Sequence, residues 1–280
     1  MLLAALGAQI EVRVSGNRAD EAVALIERVW QMCLPPYAAP GAAGATDAGS
    51  RRRDRVKPDA VVKVVHGDRV AARTDVGRGR VEGSDLPDLM QMVTQAVTRA
   101  AIDAQKGRLL MLHAAGIQDP ASGATVALVA PGGTGKTTLV RTLGPRRAYI
   151  TDETVAVRDD NTVLPYPKPL SVRREPSSPW KDETEPGSLG LAAPRDPAHL
   201  AAVVMLDRRD DHDGAPEVED LHTLDAIAAL TPETSHLPEM DKPLQRMAAL
   251  CDSVGGVVRV TYREAEHLAP LVDGWLGARA

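Results

Sequence analysis

The sequence predicts an α/β protein: a small mixed α/β domain over residues 1–105, followed by a second α/β domain over residues 106–280. In the first hundred residues, strand-like alternation such as Ile10 to Val14 is interleaved with apolar residues at helical spacing. From Leu109 onward, short continuous apolar runs alternate with glycine-rich or helical segments, a pattern typical of strands buried on both faces of a sheet. The change of pattern places the domain boundary near residue 105.

The first domain is expected to contain two helices, three strands and one flexible loop. Pro35-Pro36 ends the first helix, and the Ala-, Gly- and Pro-rich residues that follow predict the flexible loop over about 38–57. The expected elements are a strand at Ile10–Val14, a helix at Ala19–Leu34, strands at Val61–Val65 and Val70–Arg73 around a turn at His66–Asp68, and a helix at Leu86–Asp103.

The second domain is expected to be richer in strands. Its acidic stretch Asp207–Asp220 is interpreted as a solvated loop. The expected strands are Leu109–His113, Thr125–Ala130, Tyr149–Thr151, Thr154–Val157, Thr162–Tyr166, Ala201–Leu206 and Val257–Tyr262, and the expected helices are Leu221–Leu230, Lys242–Asp252 and Glu264–Trp275.

Composition excludes several classes of protein. The chain is 44% hydrophobic and 25% charged, which is ordinary for a globular protein and excludes collagen, coiled coil and wholesale disorder. No apolar run approaches the roughly 18 to 20 residues of a membrane helix, and no basic residue precedes the apolar Met1 to Leu6, so neither membrane insertion nor secretion is expected. Cys33 and Cys251 show no metal-ligand spacing and fit a reducing compartment, from which we expect a cytoplasmic protein.

Charge and aromatic content argue against a nucleic-acid partner. Lys and Arg number 33 against 38 Asp and Glu, so the net charge is −5 and the overall field does not attract a phosphate backbone. Three Trp, four Tyr and no Phe leave no platform on which bases could stack. The basic run Arg51–Lys57 is interpreted as part of a solvated loop.

A glycine-rich motif follows the apolar run Val126–Val129 and precedes a helical pattern. Ala130-Pro131-Gly132-Gly133-Thr134-Gly135-Lys136-Thr137 matches the P-loop pattern, with Ala in place of the first Gly. Glycines let backbone N–H groups turn inward around phosphate oxygens at a helix N-terminus, Lys136 reaches the β and γ oxygens, and Thr137 supplies a hydroxyl to Mg²⁺. The motif therefore predicts binding of ATP and Mg²⁺. The nucleotide-binding residues expected are Pro131, Gly132, Gly133, Thr134, Gly135, Lys136, Thr137 and Thr138.

A second candidate is the acidic pair Asp152-Glu153, which follows the apolar run Ala148–Thr151. One helix and one parallel strand fit between Lys136 and this pair. A carboxylate at the C-terminal end of a neighbouring strand would lie in the crevice where α/β sheets bind ligands, close enough to hold the metal or to accept a proton from an attacking hydroxyl.

Three stretches together resemble the HPr kinase/phosphorylase and phosphoenolpyruvate carboxykinase superfamily. They are Leu112-His113-Ala114-Ala115-Gly116, the P-loop segment Val126 to Leu139, and Ile150-Thr151-Asp152-Glu153. The segment Pro165–Arg173 is similar to that of divergent HPr-kinase-like proteins of bacterial biosynthetic clusters, including those that phosphorylate lasso-peptide precursors. The resemblance covers about Leu109 to Arg173, and it implies a P-loop core with a mixed sheet.

The resemblance also implies roles for individual residues. It makes Lys136 and Thr137 the contacts to phosphate and Mg²⁺, Asp152 the base toward the acceptor hydroxyl, and Glu153 a metal-side carboxylate. It places His113 beside Asp152, where an imidazole can hold or relay the proton. The family usually has two aspartates where this chain has Asp-Glu, which leaves open which carboxylate is the base and which is metal-side.

Basic residues and a proline-rich segment complete the expected site. The resemblance places Lys168 and Arg173 near it, where either could neutralise charge on the transferring phosphoryl group, although a basic surface strand explains both equally well. Arg174–Pro197 is interpreted as a mobile flap over the substrate or as disorder.

The sequence favours a kinase that moves the γ-phosphate of ATP to a hydroxyl of a peptide, a protein or a small molecule. An NTPase that couples hydrolysis to motion and a non-catalytic nucleotide-binding scaffold are the alternatives. The glycine- and asparagine-rich C-terminal signature of HPr kinases is missing from the sequence, so the phosphocarrier HPr is not the expected acceptor. Neither nucleic acid nor membrane is an expected partner, and homo-oligomerisation is left open.

Overall fold

The computed structural model describes residues 1–35, 57–174 and 181–277. The chain divides into two compact units: Met1–Ala104 with Ser171–Glu183, and Gln105–Leu170 with Thr184–Ala280. The domain boundary drawn from the sequence near residue 105 stays a prediction. The expected loop over about 38–57 falls outside the described residues, except for Lys57.

The first unit is built on a five-stranded sheet. Its strands are β1 (Leu2–Ala5), β2 (Ala8–Ser15), β3 (Ala60–His66), β4 (Arg73–Asp75) and β5 (Arg80–Gly83), and its helices are α1 (Ala19–Val29) and α2 (Leu86–Ala104). The order in the sheet is β1-β2-β3-β5-β4, with β2, β3 and β5 parallel and the outer strands antiparallel. Helix α2 packs on β2, β3 and β5 with a stripe of buried residues that includes Leu89, Val93 and Val97.

The second unit holds a larger mixed sheet. Its strands are β6 (Leu110–Gln118), β7 (Ala124–Val129), β8 (Ala148–Thr151), β9 (Thr154–Val157), β10 (Val163–Leu164), β13 (His199–Arg208), β14 (Glu217–Leu221), β15 (Thr234–Ser235) and β16 (Val257–Tyr262). Strands β11 (Leu170–Arg173) and β12 (Lys181–Thr184), most of whose residues belong to the first unit, form a separate two-stranded ribbon. The helices are α3 (Lys136–Leu143), α4 (Thr223–Leu230), α5 (Pro243–Ser253) and α6 (Ala269–Gly277). The predicted α/β class and the mixed sheet of the second unit are confirmed.

The order of the large sheet is β10-β9-β6-β7-β13-β16-β14. Strands β7, β13 and β16 are parallel, whereas β6 and β14 run antiparallel to their neighbours. Every residue of β7 is buried, as its continuous apolar run predicts, because helices pack on the central strands and α4 and α5 share an apolar cluster with them. The carboxyl ends of the parallel strands meet at one edge of the sheet.

Strand β6 pairs with both strands that flank the acidic pair. On one side it pairs with β9 over residues 110–113 and with β8 over residues 116–118. On the other side it pairs with β15 and then with β7. Asp152-Glu153 lies between β8 and β9, opposite the middle of β6, so the expectation of a carboxylate at the end of a strand adjacent to β7 is wrong: β6 lies between them.

Other differences from the predicted elements have local causes. The hairpin expected around His66–Asp68 is wrong, because β3 pairs in parallel with β5 and the next strand begins only at Arg73. Helix α1 ends at Val29 and not at Leu34, since a 3-10 helix follows it. Part of the expected acidic loop is strand β14, whose run of acidic residues conceals the alternation of a strand at the sheet edge.

The segment interpreted as a mobile flap is bonded where the structure describes it. Within the first unit, the Glu183 carboxylate accepts hydrogen bonds from Ser171 (2.7 Å) and from Thr94 of α2 (3.0 Å). Within the second unit, the Tyr149 amide donates to the Ala192 carbonyl at 2.9 Å. Residues 175–180 lie outside the described residues, and the described parts of 174–197 are not a free flap.

Among the described residues, no helix combines the length and the apolar character that a membrane crossing requires.

Gly116 of β6 is expected to tolerate no side chain. A Cβ built there would lie 2.9 Å from the Ile150 Cβ and 3.0 Å from a Val155 methyl group, and the Ile150 Cβ cannot move without its strand. Gly116→Ala should therefore lower the free energy of unfolding by about 1 to 3 kcal/mol in denaturant titration. Gly274→Ala is the control, since a Cβ there meets no atom within 4 Å and alanine favours the helix. Equal stability of Gly116→Ala and the wild type would contradict this packing.

Candidate functional site

A glycine-rich loop joins β7 to α3 at the carboxyl edge of the parallel strands. Gly133 and Gly135 have φ values of +86° and +97°, in the left-handed region that residues with a side chain rarely adopt. A Cβ built on either would meet no atom within 4 Å, so glycine is required here by backbone conformation and not by crowding. A strand, a glycine turn and a helix start follow one another here, as the predicted phosphate-binding loop requires.

The Lys136 side chain lies over its own loop. Its ammonium donates to the backbone carbonyls of Ala130 (2.5 Å) and Pro131 (3.1 Å), and the residue is 8% exposed. Burial lowers the pKa of Lys136 below its ordinary value, while attraction from Glu153, Glu233 and Asp152 works in the opposite direction. The Lys136 ammonium is thus partly removed from water and is attracted by three carboxylates.

Asp152 has both carboxylate oxygens occupied by hydrogen-bond donors. One oxygen accepts from the Thr137 hydroxyl at 2.7 Å, and the other faces the Lys168 ammonium at 2.7 Å and the Tyr149 hydroxyl at 3.0 Å. Burial raises the pKa of Asp152, but Lys168 and the three donated hydrogen bonds outweigh it, so the pKa lies below its ordinary value. Asp152 is thus a buried carboxylate whose ionised form is favoured by its hydrogen-bond partners.

Lys168 reaches Asp152 from a proline-flanked segment after β10. The segment is anchored by the Tyr166 amide, which donates to the Ile150 carbonyl at 3.0 Å. The Lys168 ammonium also donates to the Pro169 carbonyl at 3.1 Å, and its side chain is 1% exposed. The prediction that Lys168 lies near the site is consistent with this position, but its charge is directed at Asp152 inside the protein and not at the surface.

Glu153 and His113 lie near the loop, and among the described residues neither side chain is hydrogen-bonded to Asp152. The Ala114 amide donates to the Glu153 carbonyl at 3.1 Å, which fixes that backbone. In the described part of the chain, no hydrogen bond to the Glu153 carboxylate is found. His113 Nδ1 lies 3.1 Å from a carboxylate oxygen of Glu233. The expected position of His113 beside Asp152 stays a prediction.

A cavity of about 240 Å³ opens beside the loop at the carboxyl ends of β7, β13 and β16. It has both charged and apolar walls. Its lining includes Gly133, Gly135, Thr138, Arg208, Tyr262 and Glu264. A ligand held by the loop has room to extend into this cavity.

The residues around Thr137 fit a magnesium ion that is bound together with phosphate. Mg²⁺ prefers oxygen ligands, keeps several waters and is held by one or two carboxylates plus substrate phosphates. The Thr137 hydroxyl and the adjacent Asp152 carboxylate provide such oxygens. Within residues 1–35, 57–174 and 181–277, no group of three or more His, Cys, Asp or Glu side chains could hold a metal by itself, so a magnesium ion here would depend on the nucleotide.

The structure thus places most of the predicted site residues in the second unit: Lys136 and Thr137 on α3, Asp152 and Glu153 between β8 and β9, and His113 on β6. Arg173 is an exposed residue of β11 in the first unit, and its role stays a prediction. Sequence reasoning missed Tyr149 and Glu233. Tyr149 lies inside a predicted apolar strand, and no motif surrounds Glu233.

The Asp152–Lys168 pair should behave as a buried ion pair in a double-mutant cycle. Lys168→Met and Asp152→Asn should each lower the free energy of unfolding by about 3 to 5 kcal/mol, since each leaves one buried charge without its partner. The double variant should lose less free energy of unfolding than the two single variants lose together. Arg99→Met, which removes an exposed pair with Asp103 in α2, is the control and should cost under about 1 kcal/mol.

The same pair has a defined pH dependence. The folded-state pKa of Asp152 lies below the ordinary value of 3.8, so its stabilisation is present above pH 3.8 and is lost as pH falls through the lower folded-state pKa. In Lys168→Met, burial should instead raise the folded-state pKa of Asp152, and protonation would then relieve the buried charge. The difference in free energy of unfolding between wild type and Lys168→Met should therefore become smaller as pH falls from 7 to 4. A difference that stays constant over this pH range would contradict the assignment of Asp152 and Lys168 as a buried ion pair.

No protein-family model matches the chain, and no curated protein matches it. Among solved structures, the HPr(Ser) kinase/phosphatase from Coxiella burnetii is similar over 60% of this chain and 95% of its own, with 12% sequence identity and a TM-score of 0.31. At this level of similarity, neither the site residues nor the activity of that protein transfer to this chain.

Proposed function

We propose that the chain is an ATP-dependent phosphotransferase that moves the γ-phosphate of ATP to a hydroxyl of a peptide, a protein or a small molecule. The observation that carries the proposal is the hydrogen bond of 2.7 Å between Thr137, at the start of α3, and the buried Asp152. It joins a loop built to hold phosphate to an ionised carboxylate suited to the metal that accompanies phosphate.

The hydrogen bonds of Asp152 favour a metal-side role over the base role that the resemblance implies. A general base needs a lone pair open to the substrate and a pKa near the working pH. Asp152 has three donors on its two oxygens and a lowered pKa, so it accepts a proton poorly. We therefore assign Asp152, with Thr137, to the magnesium ion, and Lys168 to keeping Asp152 ionised.

Lys136 and the loop amides would hold the phosphates. A bound Mg²⁺ supplies neutralisation of the charge that develops on the phosphate oxygens. The Lys136 ammonium would leave the carbonyls of Ala130 and Pro131 for the β and γ oxygens, which satisfy its charge better than neutral carbonyls do. The groups left to receive the proton of the acceptor hydroxyl are Glu153 and His113.

Removal of the loop lysine should weaken nucleotide binding. Lys136→Ala is expected to lower affinity for Mg-ATP by roughly 10- to 100-fold in calorimetry, because a charge-assisted contact to phosphate is lost. Lys106→Ala removes an exposed lysine of the same unit and should bind as the wild type does. Equal affinities of Lys136→Ala and the wild type, both folded by circular dichroism, would remove Lys136 from the site.

The product should be a phosphorylated hydroxyl and not merely free phosphate. With γ-labelled ATP and no acceptor, hydrolysis should be slow, and the true acceptor should stimulate ADP release and gain phosphate in mass spectrometry. Candidate acceptors are Ser- and Thr-containing peptides and hydroxylated metabolites. Hydrolysis at several turnovers per second without an acceptor, together with no phosphorylated product, would show an NTPase. Nucleotide binding without either reaction would show a scaffold.

A further inference from the structure

We propose that Glu233 is a positioning residue that holds His113 in the tautomer able to take the proton from the acceptor hydroxyl. This inference rests on the proposed phosphotransferase function and names the proton acceptor within it. It is carried by the juxtaposition of Glu233, His113 and the phosphate-binding loop.

The register of β15 on β6 brings Glu233 to His113. Thr234 lies opposite Leu112 and Ser235 opposite Met111, so the preceding residue, Glu233, falls opposite His113. The Thr234 hydroxyl donates to the Leu230 carbonyl at 2.8 Å, which ties the turn to the end of α4. The pairing is thus fixed by backbone structure and not only by two flexible side chains.

The hydrogen bond determines which ring nitrogen carries the proton. His113 Nδ1 lies 3.1 Å from a carboxylate oxygen of Glu233, whose side chain is only 13% exposed. An ionised carboxylate only accepts hydrogen bonds, so a neutral His113 must donate through Nδ1–H. Its Nε2 then carries a lone pair, as a general base requires.

The Cε1 atom of the ring lies next to the loop. The His113 Cε1, which is bonded to both ring nitrogens, would lie 3.9 Å from a Cβ built on Gly132. Among the hydrogen bonds of the described residues, none involves Nε2, and the side chain is 33% exposed. Nε2 is therefore open to a hydroxyl that approaches the loop.

Glu153 is the competing proton acceptor, and both Glu153 and Glu233 attract the Lys136 ammonium. In the proposed step, the acceptor O–H bond breaks and its proton moves to His113 Nε2. The acceptor oxygen bonds to the γ-phosphorus as the bond from phosphorus to the β,γ-bridging oxygen breaks, and ADP leaves with that electron pair.

The first test reads the tautomer directly and needs neither nucleotide nor acceptor. In ¹⁵N-histidine-labelled protein, the His113 signals, assigned by their loss in His113→Gln, should show protonated Nδ1 and bare Nε2. In Glu233→Gln the side-chain amide can either accept from Nδ1–H or donate to a bare Nδ1, so the fraction of His113 protonated at Nδ1 should fall. A wild-type His113 that is protonated at Nε2 would overturn the inference, whether or not any variant folds. So would an unchanged tautomer in a folded Glu233→Gln.

The second test measures transfer. Glu233→Gln should lower phosphate transfer by about 10- to 100-fold, less than the full loss expected when a general base is removed, and Glu233→Asp should recover part of it. Glu239→Gln is the matched control, because Glu239 pairs with His236 Nδ1 at 3.3 Å in the same unit, away from the loop.

The two failures are distinguishable. If the wild type transfers phosphate and Glu233→Gln transfers it equally well, the inference about Glu233 is wrong and the phosphotransferase stands. If the wild type transfers no phosphate to any hydroxyl, the proposed function fails, and the role of His113 as proton acceptor fails with it. If the transfer rate and the Mg-ATP affinity of Glu233→Gln fall by the same factor, Glu233 acts on Lys136 and nucleotide binding. That result would overturn its role in positioning His113.

Discussion

The geometry of the candidate site depends on one buried ion pair, Asp152 with Lys168. Moving two charges out of water is costly, and it is offset only when the charges meet each other and their remaining hydrogen-bonding capacity is filled. Here the Tyr149 and Thr137 hydroxyls also donate to Asp152, and the Pro169 carbonyl accepts from Lys168. The pair therefore keeps a carboxylate ionised beside the first turn of α3, which is the condition for a metal site next to bound phosphate.

Strand β6 brings the remaining groups into range. It carries His113, it pairs on one side with the two strands that flank Asp152-Glu153, and on the other side it pairs with β7, which leads into the loop, and with β15, which follows Glu233. One strand thus sets the relative positions of the loop, the acidic pair and the imidazole. This arrangement separates two tasks: the buried Asp152 balances charge, while the half-exposed His113 remains accessible to a substrate.

Much of this site could be predicted from the sequence because its main signals are local. The glycines, the lysine and the threonine of the loop lie within one short segment after an apolar run, and the acidic pair follows the next such run. The role of Asp152 could not be predicted, because its pKa depends on where the Tyr149 and Lys168 side chains point. Lys168, among prolines, resembles a surface lysine in sequence. Glu233 meets His113 through the register of a two-residue strand, and no sequence pattern encodes that contact. Acidic β14 and the parallel pairing of β3 with β5 were missed for similar reasons, since strand partners are not local information.

The central claim is that Thr137 and Asp152 form the metal side of a phosphate-binding site whose lysine is Lys136. A crystal structure of the protein with Mg²⁺ and a non-hydrolysable ATP analogue tests it most directly. We expect the triphosphate in the loop, the Lys136 ammonium moved from the carbonyls of Ala130 and Pro131 to phosphate oxygens, the metal beside Thr137 and Asp152, and Lys168 still paired with Asp152. A nucleotide bound elsewhere, or a metal held by Glu153 with Asp152 turned away, would contradict the account.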